Sequence, residues 1–303
     1  MSLSSRFKQF LSLSKNILKS LLIFSTIFLG ILLPIGHHLT FLVRYFVMVM
    51  LFFAFLDVKI DRGIITLDHL KVVVLNVLIP LVVFYLIRPF NLVAALAAFV
   101  ICSAPTAAGA PVMAVFMKKK VSFVTASVIL TSPVMALTIP FTLPLVLEVE
   151  SSINAWDILL PVAQVVFIPL ILAQLIRNYW SALTLWFRQF SNVPFYLFLA
   201  NVYIASAKAS NYIINDEQTA WYEFVWIALT IGVICFFQFK IGEWVSSKEM
   251  YVESGLALGR KNTMFALWLA LTFVNPITAL GPIFYIVFHN IYNSWQIYKY
   301  GND

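Results

Sequence analysis

Arg260 and Lys261 stand side by side in Ala257-Leu258-Gly259-Arg260-Lys261-Asn262-Thr263, within an otherwise apolar run from about Met250 to Val274. A run of that length can cross a bilayer. Each cation at a membrane-helix centre costs roughly 2.5–3.5 kcal/mol on insertion scales. Neighbouring residues on a helix point about 100° apart, so two adjacent cations cannot both reach one headgroup layer. The sequence therefore implies a helix interrupted beside a wet cavity, with positive charge presented to a polar ligand.

A second interrupted stretch is Cys102-Ser103-Ala104-Pro105-Thr106-Ala107-Ala108-Gly109-Ala110-Pro111. Its two prolines remove backbone donors and clash with the preceding turn, while Gly109 and its small neighbours permit close backbone approach. Half-helix N-termini offer free N–H groups and a positive dipole end to an anion. A pair of broken spans in corresponding positions is the best sequence pointer to a midplane substrate site. The alternative is that these prolines and glycines only kink their helices, which membranes tolerate.

The elements that must carry these stretches are apolar. Of 303 residues, 62% are hydrophobic and 11% charged, which excludes a soluble domain and a disordered chain. Runs long enough to span recur ten times, near 18–36, 39–57, 70–87, 92–117, 121–147, 157–176, 193–213, 219–240, 250–274 and 276–297. With the N-terminus cytoplasmic, Arg6, Lys8, Lys15, Lys19, Lys59, Arg62, Lys71, Lys118, Lys119, Lys120, Arg177, Arg188, Lys240, Lys248 and Lys299 fall on one side. Arg88 and Lys208 fall on the other, and Arg44, Arg260 and Lys261 lie inside spans. That asymmetry is the positive-inside pattern. The net charge of +7 thus reads as topology and not as nucleic-acid binding.

The fold class implied is an all-α polytopic membrane protein with ten transmembrane helices and both termini cytoplasmic. A tail covers 1–17, five spans lie in 18–147 and five in 157–297, and a tail follows at 298–303. Five spans per half force the halves into opposite orientation, an inverted repeat, and make the broken fourth and ninth spans counterparts.

Three stretches carry a resemblance: Cys102–Gly109, the run Val124-Thr125-Ala126-Ser127-Val128-Ile129-Leu130-Thr131-Ser132-Pro133, and Gly259-Arg260-Lys261-Asn262 with Phe288-His289-Asn290 downstream. Together they resemble the bile acid:sodium symporter family over nearly the whole chain. That resemblance implies discontinuous fourth and ninth helices crossing at their breaks. It implies a core domain from spans 3–5 and 8–10, and a panel domain from spans 1–2 and 6–7 that moves against the core for alternating access. It also implies a small organic anion as substrate, taken up by symport in typical members. The substrate-binding residues it suggests are Ser103, Thr106, Ala107, Gly109, Thr125, Asn201, Gly259, Arg260, Lys261, Asn262, Thr263, His289 and Asn290.

The chain departs from the family pattern at the sodium ligands. Ala108 and Gly109 stand where the family has Ser-Asn, Ala257 replaces the ninth-span Glu, Lys261 replaces a Gln, and Pro80 replaces a third-span Gln. A register placing Glu253-Ser254-Gly255 on the Glu-x-Gly motif would put Leu258 where Asn belongs. A unit charge 4 Å from another contributes about 4 kcal/mol at an effective dielectric of ~20, so two cations oppose sodium there. Lys261 and Arg260 are expected to take the place of the missing ions, leaving a transporter without conventional sodium coupling. Lys261 could exchange a proton. Were sodium retained, Thr125, Asn262 and Ser122 would be its ligands. The competing reading is that both cations pin the broken helix ends to backbone carbonyls or to Glu253. A sensor on a transporter scaffold is the rival from another class.

Other polar groups read more plainly. Arg177–Asn192 resembles an interfacial amphipathic helix, Lys118–Lys120 a turn against anionic lipid, and Arg44 a snorkelling side chain. His37-His38 is a weak metal pair, and Cys102 and Cys235 give no disulfide framework. No Ser/His/Asp set, phosphate loop or intramembrane carboxylate pair supports an enzyme, and no cofactor is expected. The partners expected are the lipid bilayer, the organic anion and a coupling proton or sodium, with the cell (inner) membrane as location.

Overall fold

A computed structural model describes residues 21–58, 65–147, 154–215 and 221–301. The tail expected over 1–17, the cations Lys59 and Arg62, and the last two residues lie outside the described residues. Every regular element described is helical. In chain order they are α1 (Leu21–Leu32), a 3₁₀ turn at Pro34–Leu39, α2 (Leu42–Asp57), α3 (Leu67–Ile87), α4 (Leu92–Cys102), α5 (Ala110–Phe116), α6 (Val121–Thr142) and α7 (Ala155–Tyr179). There follow α8 (Ser181–Arg188), α9 (Val193–Asn215), α10 (Trp221–Val245), α11 (Tyr251–Gly259), α12 (Thr263–Phe273), a 3₁₀ turn at Ile277–Ala279 and α13 (Leu280–Tyr300).

Among the described residues four helices, α3, α6, α7 and α10, are long and apolar enough to cross a membrane, and α1, α4 and α12 are shorter apolar helices. The sequence suggested ten continuous or broken spans, and the residues explain why fewer meet that measure. Breaks shorten α4, α5, α11 and α12. On α9 and α13 the apolar run carries Asn201, Ser206, Lys208 and Ser210, and His289, Asn290, Asn293 and Gln296. Lys208, assigned from sequence to the side opposite the cytoplasm although the run near 193–213 includes it, sits inside α9. Exposed Leu70, Val74, Leu78, Val82 and Tyr85 recur down one face of α3. That spacing is the apolar stripe of a helix facing hydrocarbon, and the apolar helices make this a membrane-embedded protein.

Local chemistry sets the helix ends. Pro105 lies beyond the end of α4 and cannot donate to its last turn. Pro111 sits in the first turn of α5, where a missing N–H costs little. Asn91 caps α4, accepting from the Ala94 amide at 2.6 Å, and Asn262 caps α12, accepting from the Phe265 amide at 3.2 Å.

Packing follows the rule for helices in lipid, where small residues allow backbones to approach. Ala94, Ala95, Ala97 and Ala98 of α4 are all fully buried. Gly242 of α10 abuts α11 so closely that a Cβ there would lie 2.4 Å from the Ser254 carbonyl oxygen. Helix α2 packs on α7 and α9, while α10 packs on α4, α11 and α13, and α3 on α4 and α6. Arg44 does not reach outward. Its guanidinium donates to the Gln164 side-chain oxygen of α7, a partner inside the protein of the kind that cations within spans take.

Candidate functional site

The two interrupted segments meet. Thr106 and Lys261 form an antiparallel bridge, the Ala107 amide donates to the Arg260 carbonyl at 2.7 Å, and the Asn262 amide donates to the Pro105 carbonyl at 2.9 Å. Both segments have left helical geometry and would carry orphan backbone groups in a low-dielectric interior. Pairing with one another satisfies those groups. Three side-chain bonds lock the crossing. Thr106 Oγ1 donates to the Ala257 carbonyl at 2.6 Å, the Thr106 amide donates to Thr131 Oγ1 of α6 at 3.0 Å, and Tyr285 of α13 donates to the Gly259 carbonyl at 2.5 Å.

The adjacent cations diverge at this crossing. Lys261 is 1% exposed; its ammonium donates to Asn76 Oδ1 in the middle of α3 and to the Cys102 carbonyl at 2.9 Å. It thus ties the C-terminal end of α4 to α3. Arg260 turns the other way, toward a cavity of about 620 Å³, with Nε and Nη1 buried and without a hydrogen-bond partner. Neither cation pairs with Glu253, whose carboxylate accepts from the Lys120 amide at 2.9 Å.

The cavity lies between α1, α2 and α9 on one side and α5, the α11–α12 break and α13 on the other. Its wall is mostly apolar, with Met50, Met113, Phe116, Phe195 and Phe198 prominent, and among the described residues no Asp or Glu lines it. At its polar end Arg260 is joined by His289, Asn290 and Asn293 of α13. His289 Nδ1 and both amide atoms of Asn293 are buried without a partner. Gly109 leaves room here, since a Cβ on it would meet nothing nearer than the Arg260 guanidinium at 3.9 Å.

Of the residues singled out from sequence, Ala107, Gly109, Arg260, Lys261, Asn262, Thr263, His289 and Asn290 line this cavity. Thr106 and Gly259 are in the crossing itself, and Ser103 is buried beside it with an unpartnered hydroxyl. Asn201 lies behind the wall, its amide 3.8 Å from Met50 Sδ and its side-chain oxygen unpartnered. Thr125 and Ser122, near the start of α6, are not in the lining, and the Asn262 side-chain oxygen is engaged in capping α12.

Sequence reasoning missed Asn76, Tyr285 and Asn293. Asn76 is a lone amide amid apolar residues of α3, which is itself a signal for an intramembrane partner. His289, Asn293 and Gln296 recur at helical spacing and are all buried, a polar stripe legible by the same periodicity that marks apolar faces. Comparison with protein-family models and with curated proteins yields no match.

Proposed function

We propose that this protein moves a small organic anion across a membrane by alternating access, as a divergent relative of the bile acid:sodium symporters that does not use conventional sodium coupling. One observation carries the reading. A guanidinium with two buried, unpartnered nitrogens faces a cavity that no carboxylate among the described residues lines. A cation so placed is stabilised by a bound anion, and the planar N–H fork of arginine suits a carboxylate or sulfonate. The apolar wall suits the rest of an amphipathic ligand.

The ten-span arrangement completes the proposal. Counting α4–α5 and α11–α12 each as one broken span, α1 to α6 make five spans and α7 with α9 to α13 make five. The breaks then fall at the fourth and ninth positions of an inverted repeat. Met50, Leu51 and Ala54 of α2, Phe116 of α5, Phe195 and Phe198 of α9, and Asn293, Ser294 and Ile297 of α13 lie toward the helix ends that adjoin the Lys/Arg-rich segments, while Val47, Ile286 and His289 reach past mid-helix. Under the positive-inside rule the cavity opens to the cytoplasm, and the opposite opening belongs to the other half of the transport cycle.

The test is a thermal-shift screen of organic anions on the purified chain, with sodium or choline as the only counter-ion. Ligands stabilise the state they bind. Amphipathic carboxylates or sulfonates are expected to raise the melting temperature equally in both salts. Stabilisation only in sodium would overturn cation independence, and tight binding without any flux in vesicles would favour a sensor.

A further inference from the structure

The polar groups on the cavity wall divide into those already engaged and those left over. Lys261 is bound to Asn76 and the Cys102 carbonyl, and Asn262 caps α12 through the Phe265 amide. The Ser294 hydroxyl donates to the Asn290 carbonyl of its own helix at 2.8 Å. Left over beside Arg260 are His289 Nδ1 and Asn293. Asn293 is 1% exposed, and both its side-chain oxygen and its side-chain nitrogen lack a partner. Gln296, one turn further on, is buried in the same way but does not line the cavity, so Asn293 is the amide that a ligand meets. Proteins pair nearly all their buried amides, because an unpaired one keeps the full cost of its desolvation.

An asparagine side chain carries its acceptor and its donors on one planar group. It makes two parallel hydrogen bonds to a partner that shows a donor and an acceptor on one edge, as it does with adenine. A primary carboxamide or a lactam has such an edge. A trans secondary amide points its N–H and C=O in opposite directions and meets only one end of the asparagine, and an ester has no donor at all. We propose that Asn293 sets the specificity of the cavity, and that the anion bound there carries, besides the acid group facing Arg260, a neutral primary-carboxamide or lactam edge that Asn293 reads. The inference rests on the transport reading of this cavity and narrows its substrate class. Met50, Phe116, Phe195 and Phe198 then cover the carbon skeleton between the two polar ends.

The test titrates the full chain in detergent with three series of probes built on the straight-chain dicarboxylic acids from succinate to sebacate. One acid group stays free, and the other is a primary amide, an N-methylamide or a methyl ester. At the best chain length the wild type is expected to bind the primary amide roughly tenfold more tightly than either counterpart. Asn293→Leu is expected to bind all three alike and to melt no lower than the wild type, since it removes an amide that nothing in the protein pairs. Arg260→Gln should weaken all three by a similar factor, so that loss of binding there reads the anion contact and the amide-to-ester ratio reads Asn293. Equal binding of amide and ester by the wild type, or a preference that survives in Asn293→Leu, overturns this inference and leaves the transport reading standing. An N-methylamide that binds as well as the primary amide overturns the paired edge. An Asn293→Leu variant that melts well below the wild type, or does not fold, shows the amide to be bonded within the protein and overturns the inference too. Should no probe bind the wild type at any length, the anion reading and this inference fall together.

Discussion

Thr106 and Lys261 face each other across the only isolated backbone bridge among the described residues, yet their side chains do different work. Thr106 bonds across to the Ala257 carbonyl, while Lys261 reaches through the crossing to α3 and α4. The crossing is thus stapled from both strands. Arg260, one residue earlier, is left free to face the cavity.

Thr106→Val keeps the shape of the side chain and removes its hydroxyl. The bond lost is a neutral one, so the expected destabilisation is about 1 kcal/mol. Thermal unfolding in detergent checks this, and an unchanged melting temperature would show that the hydroxyl does not lock the crossing.

Asn76→Leu removes an acceptor from a buried ammonium. Hydrogen bonds to charged groups contribute about 1.5–3 kcal/mol, so this variant should lose more stability than Thr106→Val. Asn76→Asp restores an acceptor with opposite charge and should be tolerated better than Asn76→Leu. The melting temperatures of the three variants give the ranking.

Arg260→Gln removes the unpartnered guanidinium from the cavity. Loss of a charge-assisted contact of about 1.5–3 kcal/mol corresponds to a fall in anion affinity of roughly tenfold to a hundredfold. Stability should hold, since no hydrogen bond of the Arg260 side chain supports the crossing, whose backbone carbonyl accepts from Ala107 in either variant. Titration calorimetry with the best ligand from the anion screen measures the affinity.

Two glycines should behave oppositely when given a methyl group. At Gly242 the new Cβ would lie 2.4 Å from a backbone oxygen of α11, so α10 and α11 must separate, and overpacking of this kind costs about 1–3 kcal/mol. At Gly109 the nearest atom is 3.9 Å away, and Gly109→Ala should leave stability unchanged. Gly109→Leu extends into the cavity beside Arg260 and should weaken anion binding without unfolding the protein. Melting temperature and ligand titration together separate these effects.

The all-helical, membrane-embedded character was legible because 62% of residues are hydrophobic and the apolar runs recur at bilayer length. The interruption after Cys102 followed from Pro105, but Pro111 opens α5 and breaks nothing, because a first-turn position has no N–H bond to lose. Gly255, four residues before the break at Gly259, lies inside α11 against Glu243 and Phe239 of α10. The charged pair marked the site, yet its division of labour was hidden. The partner of Lys261 is Asn76, 185 residues away on another helix, and no local spacing reports such a contact. The polar stripe His289, Asn293, Gln296 was readable by periodicity, its three members lying four and three residues apart on α13.

The most direct test of the account is uptake of the best-binding organic anion into proteoliposomes in which choline replaces sodium on both sides, with wild type and Arg260→Gln compared. The account predicts wild-type uptake at the same rate in choline as in sodium, and uptake by Arg260→Gln reduced at least roughly tenfold at low substrate, following the affinity loss. Uptake that vanishes in choline, or an Arg260→Gln variant that transports like the wild type, would contradict it.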